Sequence, residues 1–409
     1  MSWTLKKLDQ LGHVSRGRSR HRPRDAEHLY GGPHPFVQTG DIKAAQLYLS
    51  TYSQSYSEAG LAQSKKWPVG TLCITIAANI AETAILDMDA CFPDSVIGFV
   101  ADERESDVRF VKYKLDLVKQ TFKRVSQGAA QDNLSQQKLV SIPLSVPSVT
   151  EQRRIADILS TYDDLIENNR RRMELLEASG RQLYEEWFVR LRFPGYEHTK
   201  ICNGVPNGWE RRNLSQVCVA GNGIQTGPFG SQLHQADYTE EGFPVVMPKD
   251  ISGTQISTST IARVPEEITE RLSKHRLQDG DIVLARRGDI GRKCLITERE
   301  KGWLCGTGCM RLRTDRTIIS PRMLFNILGR DDVSGELKAR AGGSIMPNLN
   351  LTILSNISVV VPPANLQTVF DALVEPTHRQ ISTLDAQNQQ LRLARDILLP
   401  RLMNGDVPV

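Results

Sequence analysis

Two stretches of this chain place apolar side chains at alternating steps of three and four. Ile155, Leu159, Tyr162, Ile166, Asn169, Met173, Leu176, Leu183 and Trp187 form one series. Phe370, Leu373, Thr377, Ile381, Leu384, Asn388, Leu391, Leu398 and Leu402 form the other. An average step near 3.5 is the seam of a coiled coil. Two seams and no third predict that the helices pair with each other, although a hairpin buried in a globular core would give a similar pattern. Arg170-Arg171-Arg172 and Glu185-Glu186 beside the seam favour a solvated rod or a partner surface. Asn169 and Asn388 on the seams either fix register or reach solvent. Ser160 reads as an N-cap with Asp163 three residues on, and Pro376 as a first helical position. Each region is therefore expected to be a short helix, a break and a long helix. The long helices would cover 161–192 and 376–404, roughly 45 Å of rod.

Ahead of each seam the pattern changes to short apolar runs separated by turn signals. Pro35–Gln38, Gly70–Ile76 and Ser95–Val100 read as strands, and Val108 to Arg124, with Phe110, Tyr113, Leu117 and Phe122, as a one-faced helix. A second set repeats the order: strands at Pro244–Met247, Gly280–Ala285 and Met310–Arg313, then a helix from Pro321 to Leu328. The repetition extends to the flanks. Trp3-Thr4-Leu5-Lys6-Lys7-Leu8-Asp9-Gln10 parallels Trp209-Glu210-Arg211-Arg212-Asn213-Leu214-Ser215-Gln216. Asp132-Asn133-Leu134-Ser135 with Ile142-Pro143-Leu144-Ser145-Val146-Pro147 parallels Pro347-Asn348-Leu349-Asn350 with Ile357–Pro363. The fold class is thus α+β: two strand-rich mixed domains joined by two long helices packed as an antiparallel coiled coil, a pseudo-twofold tandem repeat. The expected segments are 1–148, 149–193, 194–363 and 364–409.

Charge adds a little to this picture. The globular segments carry 18 Lys/Arg against 15 Asp/Glu (1–148) and 21 against 18 (194–363), whereas the helical segments carry 8 against 9 and 4 against 5. A basic excess confined to the globular parts suits contact with phosphate. Seven scattered cysteines point to reduced thiols in a cytoplasm, and no leader or membrane segment is expected. Motifs for catalysis are missing. There is no phosphate-binding loop, no Asn/Asp-Pro-Pro-aromatic stretch, and no acidic-x-Lys partner for Pro93-Asp94. Cys305 and Cys309 lack further ligands nearby and read as core.

The succession of elements resembles the specificity (S) subunit of type I restriction–modification systems, over essentially the whole chain and twice. The residues that carry the resemblance are Val245-Val246-Met247-Pro248-Lys249-Asp250-Ile251 and Gly280-Asp281-Ile282-Val283-Leu284-Ala285-Arg286-Arg287-Gly288-Asp289-Ile290-Gly291. To these are added Asn133-Leu134, Ile142–Pro147 and Glu151-Gln152-Arg153-Arg154-Ile155. Two departures stand out. Gly70–Ala81 lacks the arginines and the Gly-x-Ile-Gly ending, and Glu-Gln becomes Leu366-Gln367 in the second repeat. The resemblance implies a non-catalytic DNA-recognition subunit whose target-recognition domains, 1–148 and 194–363, each read half of a bipartite asymmetric site in double-stranded DNA. It implies two methyltransferase (M) subunits docked on the helices, with two restriction–translocase (R) subunits added where the system restricts. S-adenosylmethionine, ATP and Mg²⁺ would belong to those partners, with no cofactor in this chain. The alternative is a stand-alone two-headed DNA-binding or scaffold protein.

For the first domain the candidate DNA contacts are Arg16, Arg18, Arg20, Arg22 and Arg24 in a basic loop that Gly17 and Pro23 keep from being helical. They are joined by Gln38, Thr39, Lys43, Lys65, Lys66 and Asn79 near strand ends. For the second they are Asn222, Gln225, Thr226, Ser231 and Gln232 in a glycine- and amide-rich loop, Lys274 and Arg276, and Arg286, Arg287, Arg292 and Lys293 around the Gly-Asp-Ile-Gly turn. Solvated loops would read the same way. A rod of roughly 45 Å would space the half-sites by about 13 base pairs.

Overall fold

The computed structural model describes residues 3–77, 80–127, 135–202, 204–342 and 348–409, with side chains of 120–127 excepted. Asn79, Asp132–Leu134, Pro347 and the Phe122 side chain lie outside the described residues. The chain divides into two compact units, Met1–Met173 with Ser382–Val409, and Glu174–Ile381. Each takes one globular segment and a stretch of both long helices.

The repeat seen in the sequence is a repeat of topology. In the first unit a five-stranded sheet runs in the order Gly12–Arg16, Val96–Ala101, Leu72–Thr75, Thr83–Leu86, Tyr48–Leu49. In the second a four-stranded sheet runs Ile224–Thr226, Cys309–Leu312, Ile282–Ala285, Lys293–Leu295, the same order without the last strand. Each unit has a second, smaller sheet, and each of these smaller sheets contains one parallel pairing among antiparallel ones: Phe36 beside Cys91, and Val246 beside Cys305. The central strands, Leu72–Thr75 and Ile282–Ala285, are buried throughout. Alternation along a strand sends neighbours to opposite faces. Leu72 and Ile74 meet Phe99 and Phe110, while Cys73 meets Trp67 and Phe92. Ile282 and Leu284 likewise join one core of the second unit and Val283 another.

The matching flanks make matching contacts. Thr4–Lys6 pairs antiparallel with Leu144–Val146, and Glu210–Asn213 with Ser358–Val361. Gln10 accepts the Lys7 N–H at 2.8 Å, and Gln216 accepts the Asn213 N–H at 2.8 Å. A buried glutamine then fastens each globular segment to its long helix. Gln152 accepts the Asp107 N–H (3.1 Å) and donates to the carbonyls of Glu105 (3.2 Å) and Pro147 (3.1 Å). Gln367 accepts the Ser320 N–H (2.8 Å) and donates to the carbonyls of Ile318 (3.1 Å) and Pro362 (2.8 Å). The Glu-to-Leu366 departure therefore leaves the working side chain of the motif in place.

The long helices differ from expectation in one respect. They are continuous, Val149–Tyr184 and Ala364–Met403, with neither predicted break. The first continues into a π turn at Glu185–Val189. Instead of capping, Thr161 and Ser160 turn their hydroxyls back to the Asp157 carbonyl. Pro376 sits mid-helix at an exposed position, and Ala372, whose carbonyl loses its i+4 partner, is exposed as well, so the lost hydrogen bond falls on the solvent side of the helix. Burial of Phe370, Val374 and Ile381 on either side holds the helix through it. The seam shifts by one position there: Leu373 is 52% exposed while Val374 is buried. Helix pairing is antiparallel within each unit. In the first, Asn169 donates to Asn388 at 3.0 Å with both side chains buried, and Asp163 accepts from Arg395 and from the Tyr113 hydroxyl. The asparagines thus face one another rather than solvent. In the second, Tyr184, Trp187 and Phe188 surround Phe370 with ring centroids 5.1–6.1 Å away.

Candidate nucleic-acid interface

In the first unit the basic loop and the 63–66 segment come together. Arg18 donates through Nε to the Ser64 carbonyl at 2.7 Å, and the Ser64 hydroxyl donates to the Arg18 carbonyl at 2.7 Å. Gln63 accepts the backbone N–H groups of Arg20 and His21. Lys65 Nζ lies 3.6 Å above the Trp67 ring and 3.3 Å from Ser15 Oγ. Burial, then the Arg18 charge, lowers its pKa. The five arginines divide by role. Arg18 and Arg22 shape the loop, Arg22 through the carbonyls of Ser19 and His21. Arg24 is held bidentate by Asp94 at 2.9 and 3.0 Å. Arg16 and Arg20 are exposed, with no side-chain partner among the described residues, and are the two suited to phosphate. Lys66 pairs with Asp89 at 3.5 Å.

Gln38, Thr39 and Lys43 form a separate group on the helix Thr39–Ala44. Gln38 meets Gln54, and its N–H donates to Asp41 at 2.8 Å. Asp250 accepts the Met247 N–H at 2.9 Å in the same way. The acidic residue of the strand–acid–Ile motif is therefore a turn cap present in both repeats.

In the second unit the predicted Gly221–Gln232 loop contains a strand, Ile224–Thr226, because its residues pair with Leu312, Arg311 and Met310. Thr226 is buried in it, and Gln225, half-buried, donates to the Thr226 carbonyl. The remaining candidates fall at opposite ends of this strand. At one end are exposed Asn222 and Lys274 and half-buried Arg276, whose guanidinium lies 5.7 Å from the Phe243 ring. Two arginines that sequence reasoning missed hold that end together. Arg311, 2% exposed, donates to the carbonyls of Asn222 and Lys274. Arg313 donates to the Arg276 carbonyl and pairs bidentate, at 2.7 Å twice, with buried Asp281. The signal was available as two arginines in an otherwise apolar strand beside a Gly-Asp. The first unit has Thr71 in place of that aspartate.

At the other end are Ser231, Gln232, Arg286, Arg287, Arg292 and Lys293. Ser231 and Arg287 are exposed, and Gln232 accepts the Phe229 N–H at 3.1 Å. Arg286 is buried against Asn348 at 3.2 Å. Arg292 pairs with Asp289 at 2.8 Å. Lys293 Nζ sits 4.2 Å over Phe325, and burial, then Arg181, pulls its pKa down to about 8. Phe229, also missed, projects from the same end. Its sequence mark is an aromatic between Pro228 and Gly230 in a loop otherwise small and polar.

The cysteines at 305 and 309 line a core with Val246, Ile251 and Cys294, and burial pushes the Cys305 thiol up to about 12. Among the described residues no three His, Cys, Asp or Glu side chains form a metal-binding group, and no helix is long and apolar enough to cross a membrane.

A duplicated α+β frame that carries two differently furnished sets of loops, each with a stretch of both long helices, defines a tandem-repeat protein with one frame and two surfaces. The chain matches the type I restriction modification DNA specificity domain over residues 1–178 and again over 206–392, and it belongs to that family. It is 23% identical to the type I restriction enzyme MjaIX specificity subunit of Methanocaldococcus jannaschii, covering all of this chain and 94% of the relative. It is 22% identical to the MjaVIII specificity subunit of the same organism, over 74% of this chain and 71% of that one. The crystal structure of the type I restriction–modification system S subunit from M. genitalium shares the fold. It superposes with a TM-score of 0.57 at 19% identity, covering 98% of this chain and 96% of that one. The family is one of DNA recognition, not catalysis.

Proposed function

We propose that each globular segment reads one half of a split, asymmetric duplex site, and that the paired helices set the number of unread base pairs between the halves. The observation that carries this reading is the contrast between frame and loops. Sheet order, glutamine fastening and turn caps are the same in both repeats. The surfaces they present differ: free arginines on a basic loop in the first, amides, an aromatic and a hairpin arginine in the second. Phosphate contacts hold register and base-edge contacts specify, so unlike loops on one frame suit unlike half-sites.

The helices also keep apolar side chains in water. Ile158 and Leu165 on the first, and Val369 and Leu373 on the second, are 38–52% exposed, with Ile158 and Leu373 at corresponding positions of the repeat. These suit docking of two methyltransferase subunits, which would bring S-adenosylmethionine. Motor–nuclease subunits, where they join, would bring ATP and Mg²⁺. The complex would work in the cytoplasm, where the DNA is.

The test is methylome sequencing of a host with and without this gene together with a partner methyltransferase gene. A gained mark on a split, asymmetric sequence is the expected result. A soluble complex that leaves no mark would overturn the reading in favour of a stand-alone DNA-binding protein.

A further inference from the structure

We propose that Phe229 is a specificity-determining residue of the second segment, an apolar probe that seats against the 5-methyl group of a thymine in the major groove. The inference rests on the DNA-reading role proposed above. Among the described residues Phe229 is the one phenylalanine more than half exposed, at 55%. Flexibility does not account for this, because the loop is fixed on every side. The backbone of Gly227 lies against Gly306 so closely that a Cβ would come 2.0 Å from its carbonyl oxygen. The Thr307 hydroxyl donates to the Pro228 carbonyl at 2.9 Å. The Phe229 N–H donates to Gln232 Oε1 at 3.1 Å, and its carbonyl accepts the N–H groups of Gln232 (2.8 Å) and Leu233 (3.2 Å). The ring is held out by design of the backbone around it.

What lies behind the ring indicates the partner. The Arg286 guanidinium is 5.9 Å from the ring centroid, within cation–π range, and only 8% exposed. Its side-chain hydrogen bond is to the Asn348 amide, and no carboxylate among the described residues pairs with it. Burial, then neighbouring Arg287, lowers its pKa, as a cation without a counter-ion requires. Arg287 is exposed beside it. A rigid aromatic in front of two uncompensated guanidinium groups fits a surface that is apolar at one point and anionic around it. In the major groove the thymine methyl is that apolar point, and the flanking phosphates are the anions. Phe229 gains nothing from exposure in the free protein, and the methyl removes its face from water.

The experiment uses the full chain assembled with its methyltransferase subunits. Once the methylome gives the half-sites, each thymine of the site is replaced singly by deoxyuridine, which lacks the 5-methyl group, and binding is measured for the wild type, Phe229→Ala and Phe229→Leu. One position, in one half-site only, is expected to weaken wild-type binding about fourfold, the equivalent of one buried methyl group. Phe229→Ala should be indifferent to the same replacement and relaxed at that base pair in its methylome. Phe229→Leu should keep part of the preference. A half-site without such a thymine, equal deoxyuridine sensitivity in wild type and Phe229→Ala, or loss of methyltransferase assembly in Phe229→Ala would each overturn the inference. If the wild type leaves no split mark, the DNA-reading role itself falls. If the split mark is present and Phe229→Ala leaves it unaltered, only this inference falls.

Discussion

Gln152 and Gln367, themselves buried, each satisfy one main-chain N–H and two main-chain carbonyls, and no apolar residue of similar size can replace that. Changing Gln367 to Leu should destabilise the second unit by about 2 kcal/mol, because the Ser320 N–H and the Ile318 and Pro362 carbonyls lose their partner. Urea unfolding monitored by tryptophan fluorescence would measure it. His275 offers a second check. It is 1% exposed, and beyond a marginal contact with the Thr226 backbone neither ring nitrogen has a hydrogen-bond partner among the described residues. Burial, then the Lys274 charge, lowers its pKa from 6.5 to about 4. The unfolded chain therefore binds the proton first as pH falls. Stability is unaffected above pH 6.5 and is lost between 6.5 and 4, by up to about 3 kcal/mol. His275→Phe should flatten that part of the pH dependence of the urea midpoint, and an unchanged slope would refute the assignment. Neither role was legible in the sequence. Gln152 and Gln367 were marked there only as members of a motif, and a glutamine beside polar neighbours or a histidine between two cations looks like a surface residue until tertiary contacts enclose it.

At the level of elements, the strands and the helices after them, Val108–Gln127 and Pro321–Ile327, were legible because burial patterning and turn residues agreed locally. The helix breaks were misread because proline and a Ser-Thr pair are local signals, and tertiary burial on both sides outweighs them. Pro376 should then carry a real local cost. Pro376→Ala is expected to stabilise the protein by about 1–3 kcal/mol, since it restores an i to i−4 hydrogen bond at an exposed position without disturbing the buried face. Thermal unfolding would show it, and a lower midpoint would mean that the proline shapes the helix in a way the core depends on. The candidate contacts were legible only as composition. Sequence marked where arginines cluster, but not which of them hold carbonyls: Arg18 is taken up by Ser64, brought from 46 residues away, and Arg22 by the Ser19 and His21 carbonyls that the loop's own fold turns toward it, while Arg16 and Arg20 are left facing water.

For the molecule as a whole, the ruler reading makes a geometric demand. Because the helices pair antiparallel in each unit, lengthening one alone would break register at Asn169 and Asn388. Inserting a helical turn in both, between 173 and 174 and between 381 and 382, should change the number of unread base pairs and leave both half-sites as they were. Methylome sequencing reads both at once, and an unchanged spacer would rule the ruler out. The tandem duplication itself was the most legible property of the chain, since it is written in motifs that hold the frame. The glutamine fastening has a consequence for how such a gene can change over time. Gln152 and Gln367 engage main-chain atoms of the segments they secure, and those atoms are common to every sequence. The socket is therefore blind to what is plugged into it. On the proposed role, mutation or recombination would be free to rewrite an entire reading surface, and the new one would seat on the old helices provided its backbone offers the same N–H and carbonyl.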